Sequence, residues 1–310
     1  MPDLEKACRL ALTECMNVTE EDSVLVVTDT DSQSIGEAFY QAARKLKSEA
    51  AMISMLPRSN SGEEPPDMVA AAMTKAKVVI LITSKSLSHT RARWASNEKG
   101  ARIASLPGAT SDMLERTLAV NYKAMAKDCD KYIDILNRGK KVHLTTPAGT
   151  DLTFSIDGRE GQPDTGIYHR PGEFGNLPAG EAYVAPVEGT ANGMLVIDGS
   201  MAGIGALKEP LRIKVEAGKA VQVDGGEEAK ILNEILNRYG TESRNIAELG
   251  IGLNPKAKLT GNTLEDEKVL GTVHVALGDN STIGGKVEAP SHLDGILLNP
   301  KLVIDGESII

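Results

Sequence analysis

The segment "SVLVVTD", residues 23–29, is an unbroken run of β-branched and apolar residues closed by an aspartate. A strand without polar alternation is one buried on both faces, and sheets covered on both faces are chiefly parallel. Its neighbours carry the complementary signal. "SIGEAFYQAARKLKSE" (34–49) has helical spacing, and "AAMISML" (50–56) reads as a second strand. "PPDMVAAAMTKA" (65–76) opens with prolines and continues with helix formers, and "VVILITS" (78–84) is a third strand. "ARWASNEKG" (92–100) reads as a helix ending at glycine, followed by "RIASLPG" (102–108) as a short fourth strand. This strand–helix alternation predicts an N-terminal Rossmann-like domain with a parallel sheet, an α/β fold over residues 1–112.

Beyond it the texture changes. "MLERTLAVNYKAMAKDCDKYIDILNRG" (113–139) places Leu118, Tyr122, Met125 and Cys129 three or four residues apart. It is expected to form one long bridging helix within residues 113–140. "KVHLTTPAGTDLTFSIDG" (141–158) reads as two strands around a Pro-Ala-Gly turn. The rest is rich in glycine and short strands, interrupted by one helical stretch, "EEAKILNEILNRYG" (227–240). Residues 141–310 are therefore expected to form an α+β, mainly antiparallel domain.

Composition narrows the function classes. The 310 residues are 41% hydrophobic but only 3% aromatic, so the core must be built from Ala, Val, Ile, Leu and Met. A formal net charge of -9 with no lysine- or arginine-rich block disfavours nucleic acid as a partner. Cys8, Cys15 and Cys129 fall in no metal-binding spacing and read as inert buried thiols. The charged start lacks the apolar region of a signal peptide, and no apolar run reaches the length that spans a bilayer. A soluble, cytoplasmic protein that meets no membrane is expected.

The nucleotide and hydrolase fingerprints are missing. No GxGxxG follows the first strand, where "VVTDTDSQSIG" offers aspartates instead of bare amides. "GDNSTIGGKV" (278–287) lacks the P-loop spacing, and neither HExxH nor GxSxG occurs.

The histidines differ in what surrounds them. His89 sits at a helix start, where capping or surface placement explains it. His143 lies on a hairpin strand, where it can face solvent, and His169, in a long glycine-proline loop, is a candidate substrate-side residue. His274 is embedded in the apolar strand "TVHVALG", and a buried imidazole needs polar partners or a metal. His292 and Asp294, two apart in "SHLDGILL", share one face of a strand. Two imidazoles and one carboxylate suit zinc, cobalt, manganese or iron, and they equally suit a hydrogen-bonded structural cluster. Glu181 opens the apolar strand "EAYVAP", and Glu248 lies between apolar neighbours in "NIAELGIGLN". Each either faces water or, if buried, needs a counter-charge that a cation would supply.

In order, "GNLPAGEAYVAP", "NIAELGIGLN", "TVHVALG" and "SHLDGILL" resemble the M29 metallo-aminopeptidases, as does "SLSHTRARWASNEKGARIASLPG" (86–108). The resemblance implies a Rossmann-like domain followed by a metal-binding domain, a two-metal centre and a homodimer. It implies metal ligation by Glu181, Glu248, His274, His292 and Asp294. One departure stands out. The family's tyrosine ligand seven residues after the first histidine is Ser281 here. The 2,5-dihydroxypyridine dioxygenases look similar as well, and their single Fe(II) takes two histidines and one aspartate, a set that His274, His292 and Asp294 also satisfy.

The leading expectation is a metal-dependent hydrolase of the aminopeptidase type, acting on a small peptide or other small molecule. A divalent ion (Zn, Co, Mn or Fe) would activate water, with Glu181 or Glu248 as general base. The alternative is a mononuclear Fe(II) ring-cleaving dioxygenase, and a third reading is a non-enzymatic binding protein with satisfied core histidines. The donor set accommodates one ion or two, and the loop "DNSTIGGK" (279–286) reads as a glycine loop beside the metal or as a surface turn.

Overall fold

The computed structural model describes residues 2–310. It is an α/β structure in two compact units. One comprises the chain up to Ala126 together with Asp164–Ala179; the other comprises Lys127–Pro163 and Gly180–Ile310. The segment 164–179, which the sequence places in the second domain, thus packs with the first unit.

In the first unit a five-stranded sheet runs in the order Glu49–Met55, Ser23–Asp29, Val78–Ile82, Arg102–Ser105, Phe174–Asn176, with parallel pairing throughout. Val78–Ile82 is buried along its whole length, as its unbroken apolar run requires. The fifth strand comes from the glycine-proline loop around His169, whose short "FGN" carries no strand signal of its own. Helix Gln33–Lys45 packs closely on the first strand at Gly36, where a Cβ would fall 2.9 Å from Thr28 Cβ. Cys8 and Cys15 lie on the buried face of the N-terminal helical segment, with no exposure.

The expected long helix from 113 to 139 is two helices, Ser111–Thr117 and Tyr122–Arg138. Asn121 causes the break: its side-chain carbonyl accepts a hydrogen bond from the Ala124 amide (3.1 Å), the cap of a new helix. Leu118, Tyr122, Met125 and Cys129 are all buried nonetheless, so a helical period survived the turn.

Arg102 forms a buried tie in this unit. Its guanidinium donates to Asp22 Oδ1 (2.7 Å) and to the Met16 carbonyl (2.7 Å). Burial pushes the Asp22 carboxyl up, but hydrogen bonds from Thr19 and Arg102 and the Arg102 charge outweigh it and hold the group below its ordinary value. A carboxylate with a lowered folded pKa contributes stability that is complete above the unfolded pKa and is lost as the pH falls through the folded one. Asp22→Asn should therefore lower stability near neutral pH by about 1.5–3 kcal/mol, the range for a hydrogen bond to a charged group. It should also flatten the acid limb of the stability curve, read from urea midpoints between neutral and acid pH.

The second unit holds two seven-stranded sheets. The first has the order Lys219–Asp224, Leu211–Glu216, Asn192–Ile197, Asp151–Ser155, Lys141–Thr145, Lys301–Ile304, Glu307–Ser308, and includes the expected 141–158 hairpin. The second has the order Gly205–Ala206, Ser200–Met201, His292–Leu297, Val273–Gly278, Ile246–Gly252, Glu181–Val184, Gln162–Asp164. The sheets meet closely at Gly295, where a Cβ would lie 2.2 Å from Ile197 Cδ1. Among the described residues no helix is long and apolar enough to cross a membrane.

Candidate metal centre

Register decides which side chains meet. In the second sheet His274 pairs with Gly250 on one side and Ile296 on the other; Ala276 pairs with Glu248 and Asp294, Gly278 with His292, and Gly252 with Glu181. Directly paired residues point to the same face, and so do residues two apart on one strand. Glu181, Glu248, His274, His292 and Asp294 therefore share one face, although they come from four strands. The opposite face is apolar: Val184, Leu249, Ile251, Val273, Val275, Leu277 and Leu297 are all essentially unexposed. Between the polar side chains stand small residues, and these make the room. A Cβ on Gly250 would fall 1.9 Å from His274 Nε2, so the imidazole lies directly across that glycine.

On this face Glu248, His292 and Asp294 bring one donor atom each within 4.8 Å of one another. Glu248 spans both imidazoles, with Oε1 3.2 Å from His274 Nε2 and Oε2 3.4 Å from His292 Nε2. His292 Nε2 is also 3.3 Å from Asp294 Oδ1. His274 Nε2 lies 3.4 Å from Glu181 Oε2, which joins the fifth residue to the group. All are buried except His292, whose side chain is 30% exposed and marks the open side.

The donor chemistry fits a cation. His292 Nδ1 lies 2.7 Å from the Asp279 carbonyl, which can only accept, so Nδ1 carries the proton. In the neutral ring Nε2 is then a lone pair aimed at two carboxylates, an arrangement that a positive ion between them resolves. Burial disfavours charge on both rings, yet the carboxylates overcome it: Glu248, Glu181 and Asp294 push His274 up to about 9, and Asp294 and Glu248 hold His292 well above its ordinary value. Burial likewise pushes Glu248 up, but the bonds and charges of His274 and His292 win and hold it far below the carboxylate range. A field that keeps protons on two buried imidazoles also attracts a metal ion.

One residue of the cluster has no precursor in the sequence reading. Lys268 is fully buried, with Nζ 2.5 Å from Glu181 Oε1 and 2.8 Å from Glu267 Oε1. Its signal was a lysine at the entrance of an apolar strand, in "DEKVLGTVHVALG". Ser281 lies on an exposed 3-10 turn, where its hydroxyl donates to Asp279 Oδ1 (3.0 Å). In the 279–286 loop Lys286 is exposed, and its amide is held by Glu188 (2.8 Å). His89 is exposed next to the helix-capping Thr90, while exposed His143 and His169 bond Asp151 and the Glu14 carbonyl.

The sequence model of the family described as NicX: 2,5-dihydroxypyridine 5,6-dioxygenase matches residues 3–310, and the chain belongs to that family. A curated relative, the 2,5-dihydroxypyridine 5,6-dioxygenase of Pseudomonas putida, is 25% identical over 194 residues, 57% of this chain and 54% of the relative. The matched region thus spans about half of that relative's length. The solved 2,5-dihydroxypyridine dioxygenase from Pseudomonas putida superimposes with a TM-score of 0.84 at 21% identity, over 99% of this chain and 95% of that one. Wild-type AmpT from Thermus thermophilus superimposes with a TM-score of 0.74 at 16% identity, over 99% and 96%. At these identities the two structures are likenesses of fold.

The expectation of a hydrolase of the aminopeptidase type is corrected by the match over almost the whole chain, which is to a 2,5-dihydroxypyridine 5,6-dioxygenase family. What remains of the M29 resemblance is architecture.

Proposed function

We propose that this member of the 2,5-dihydroxypyridine 5,6-dioxygenase family opens the ring of a dihydroxylated pyridine with dioxygen, at divalent iron held on the polar face of the second sheet. The observation that carries the reading is the convergence of Glu248, His292 and Asp294 donor atoms within 4.8 Å, with His274 adjoining. His274, His292 and Asp294 supply the two-imidazole, one-carboxylate set suited to iron in oxygen chemistry. Glu248, which touches both imidazoles, adds a second carboxylate to the ion's surroundings. Held far below the carboxylate range, it is better suited to a cation than to taking up a proton.

When bound, the iron supplies the one-electron chemistry that lets dioxygen react with an aromatic ring. The chain's own residues set the conditions. The Asp279 carbonyl fixes the His292 tautomer, so Nε2 faces inward. His292 is the partly exposed member, so substrate enters from its side, while the apolar opposite face seals the strands against water. A dioxygenase places both oxygen atoms in the opened product, so no reductant is required.

The test is protein purified anaerobically, loaded with Fe(II) and given 2,5-dihydroxypyridine in air-saturated buffer. Loss of the heteroaromatic absorbance with equimolar oxygen uptake is expected, and chelation should lower the melting temperature. Aminoacyl-anilide cleavage with zinc or cobalt, independent of oxygen, would overturn the reading.

A further inference from the structure

We infer that Lys268 is a built-in cation that confines this centre to a single metal ion; the inference rests on the metal-centre reading above. The buried acids form a continuous series. Lys268 joins Glu267 to Glu181; Glu181 reaches His274, His274 reaches Glu248, and Glu248 and Asp294 flank His292. One part of the series offers clustered donors for a divalent ion. In the other part the Nζ of Lys268 already lies at bonding distance from two carboxylates, 2.5 and 2.8 Å, with the side chain 1% exposed.

The ammonium is held from its backbone. The Lys268 carbonyl accepts from the Asn254 amide (2.8 Å), and its own amide donates to the Glu265 carbonyl (3.0 Å). The same segment presses on the ligand-bearing strand at Gly252, which pairs with Glu181; a Cβ there would fall 2.1 Å from the Val269 carbonyl oxygen and 2.9 Å from the Lys268 carbonyl carbon. Gly252 thus admits the backbone that delivers the lysine. A second divalent ion would need the carboxylate oxygens Lys268 engages and would be repelled by its charge. With Lys268 in place Glu181 faces an ammonium on one side and His274 on the other, so Lys268 is a positioning residue for that pair.

The experiment counts ions. Wild type and the Lys268→Met, Lys268→Gln and Lys268→Arg variants are stripped, incubated with Mn(II), desalted, and measured for manganese per chain and for the Mn(II) paramagnetic resonance spectrum. Wild type and Lys268→Arg should retain one ion with an isolated-ion spectrum. Lys268→Met and Lys268→Gln should retain two, with the spectrum of a coupled pair. A single ion in both neutral variants, or two ions in wild type, overturns the inference while leaving the metal centre standing. A wild-type chain that retains no ion overturns the metal-centre reading, and this inference with it. Should Lys268→Met fold only in the presence of Mn(II), the count in the refolded protein decides in the same way: two ions support the inference and one overturns it.

Discussion

Replacing His292 with alanine should yield a folded protein that no longer retains its divalent ion and no longer consumes oxygen with substrate. His292 contributes one lone pair, fixed by the Asp279 carbonyl at 2.7 Å and set 3.3 Å from Asp294 Oδ1 and 3.4 Å from Glu248 Oε2. Loss of an outer partner of a metal ligand typically lowers affinity by about 10–100-fold, and loss of the ligand itself should exceed that range. Stability should move much less, because the side chain is 30% exposed and the Asp279 carbonyl it leaves can turn to water. That exposure also provides a control: imidazole added to His292→Ala can enter the space left and should restore part of the metal binding and part of the turnover. A variant that binds iron as tightly as wild type would remove His292 from the ligand set.

The second large effect is expected at a residue with no side chain. Gly250→Ala would put a Cβ 1.9 Å from His274 Nε2 and 2.1 Å from its Cε1. The imidazole has nowhere to retreat: it has no exposure, and it lies 3.2 Å from Glu248 and 3.4 Å from Glu181. Overfilling a packed interior costs about 1–3 kcal/mol, and here the displaced ring must also leave two carboxylates, so a loss near 3 kcal/mol is expected. Urea unfolding monitored by circular dichroism measures it, and metal retention should fall in parallel. Gly271→Ala is the control, since a Cβ at that position meets no atom within 4 Å, although its positive φ of 85° still strains an alanine. Metal retention should survive there. Equal metal loss in both variants would show that glycine loss in general, and not the place of His274 over Gly250, is responsible.

The parallel sheet was legible because both-face burial writes itself into adjacent letters: "SVLVVTD" and "VVILITS" need nothing but their own composition to be read as strands. The 141–158 hairpin and the 227–240 helix were legible for the same local reason. Where two signals shared one period, the reading failed. Leu118 through Cys129 keep a helical rhythm across a turn, and only the Asn121 cap distinguishes two helices from one. The strand Phe174–Asn176 was invisible because one aromatic followed by a glycine and an asparagine acquires strand geometry only by pairing with Ile103–Ser105.

The sequence by itself singled out the residues proposed to carry the chemistry. Two histidines and three acids stand among apolar neighbours, where a polar side chain is expensive to bury alone. It could not tell hydrolysis from oxygenation, because the same donors serve both. The tertiary structure decided what they face: one side of one sheet, with Glu248, His292 and Asp294 converging and His274 lying across Gly250. It also introduced Lys268, six residues before His274 in the chain yet bonded to Glu181, 87 positions away. The physical reason is register. Which side chains share a face across four strands is set by pairing between segments far apart in sequence, and that information is in no single stretch of letters.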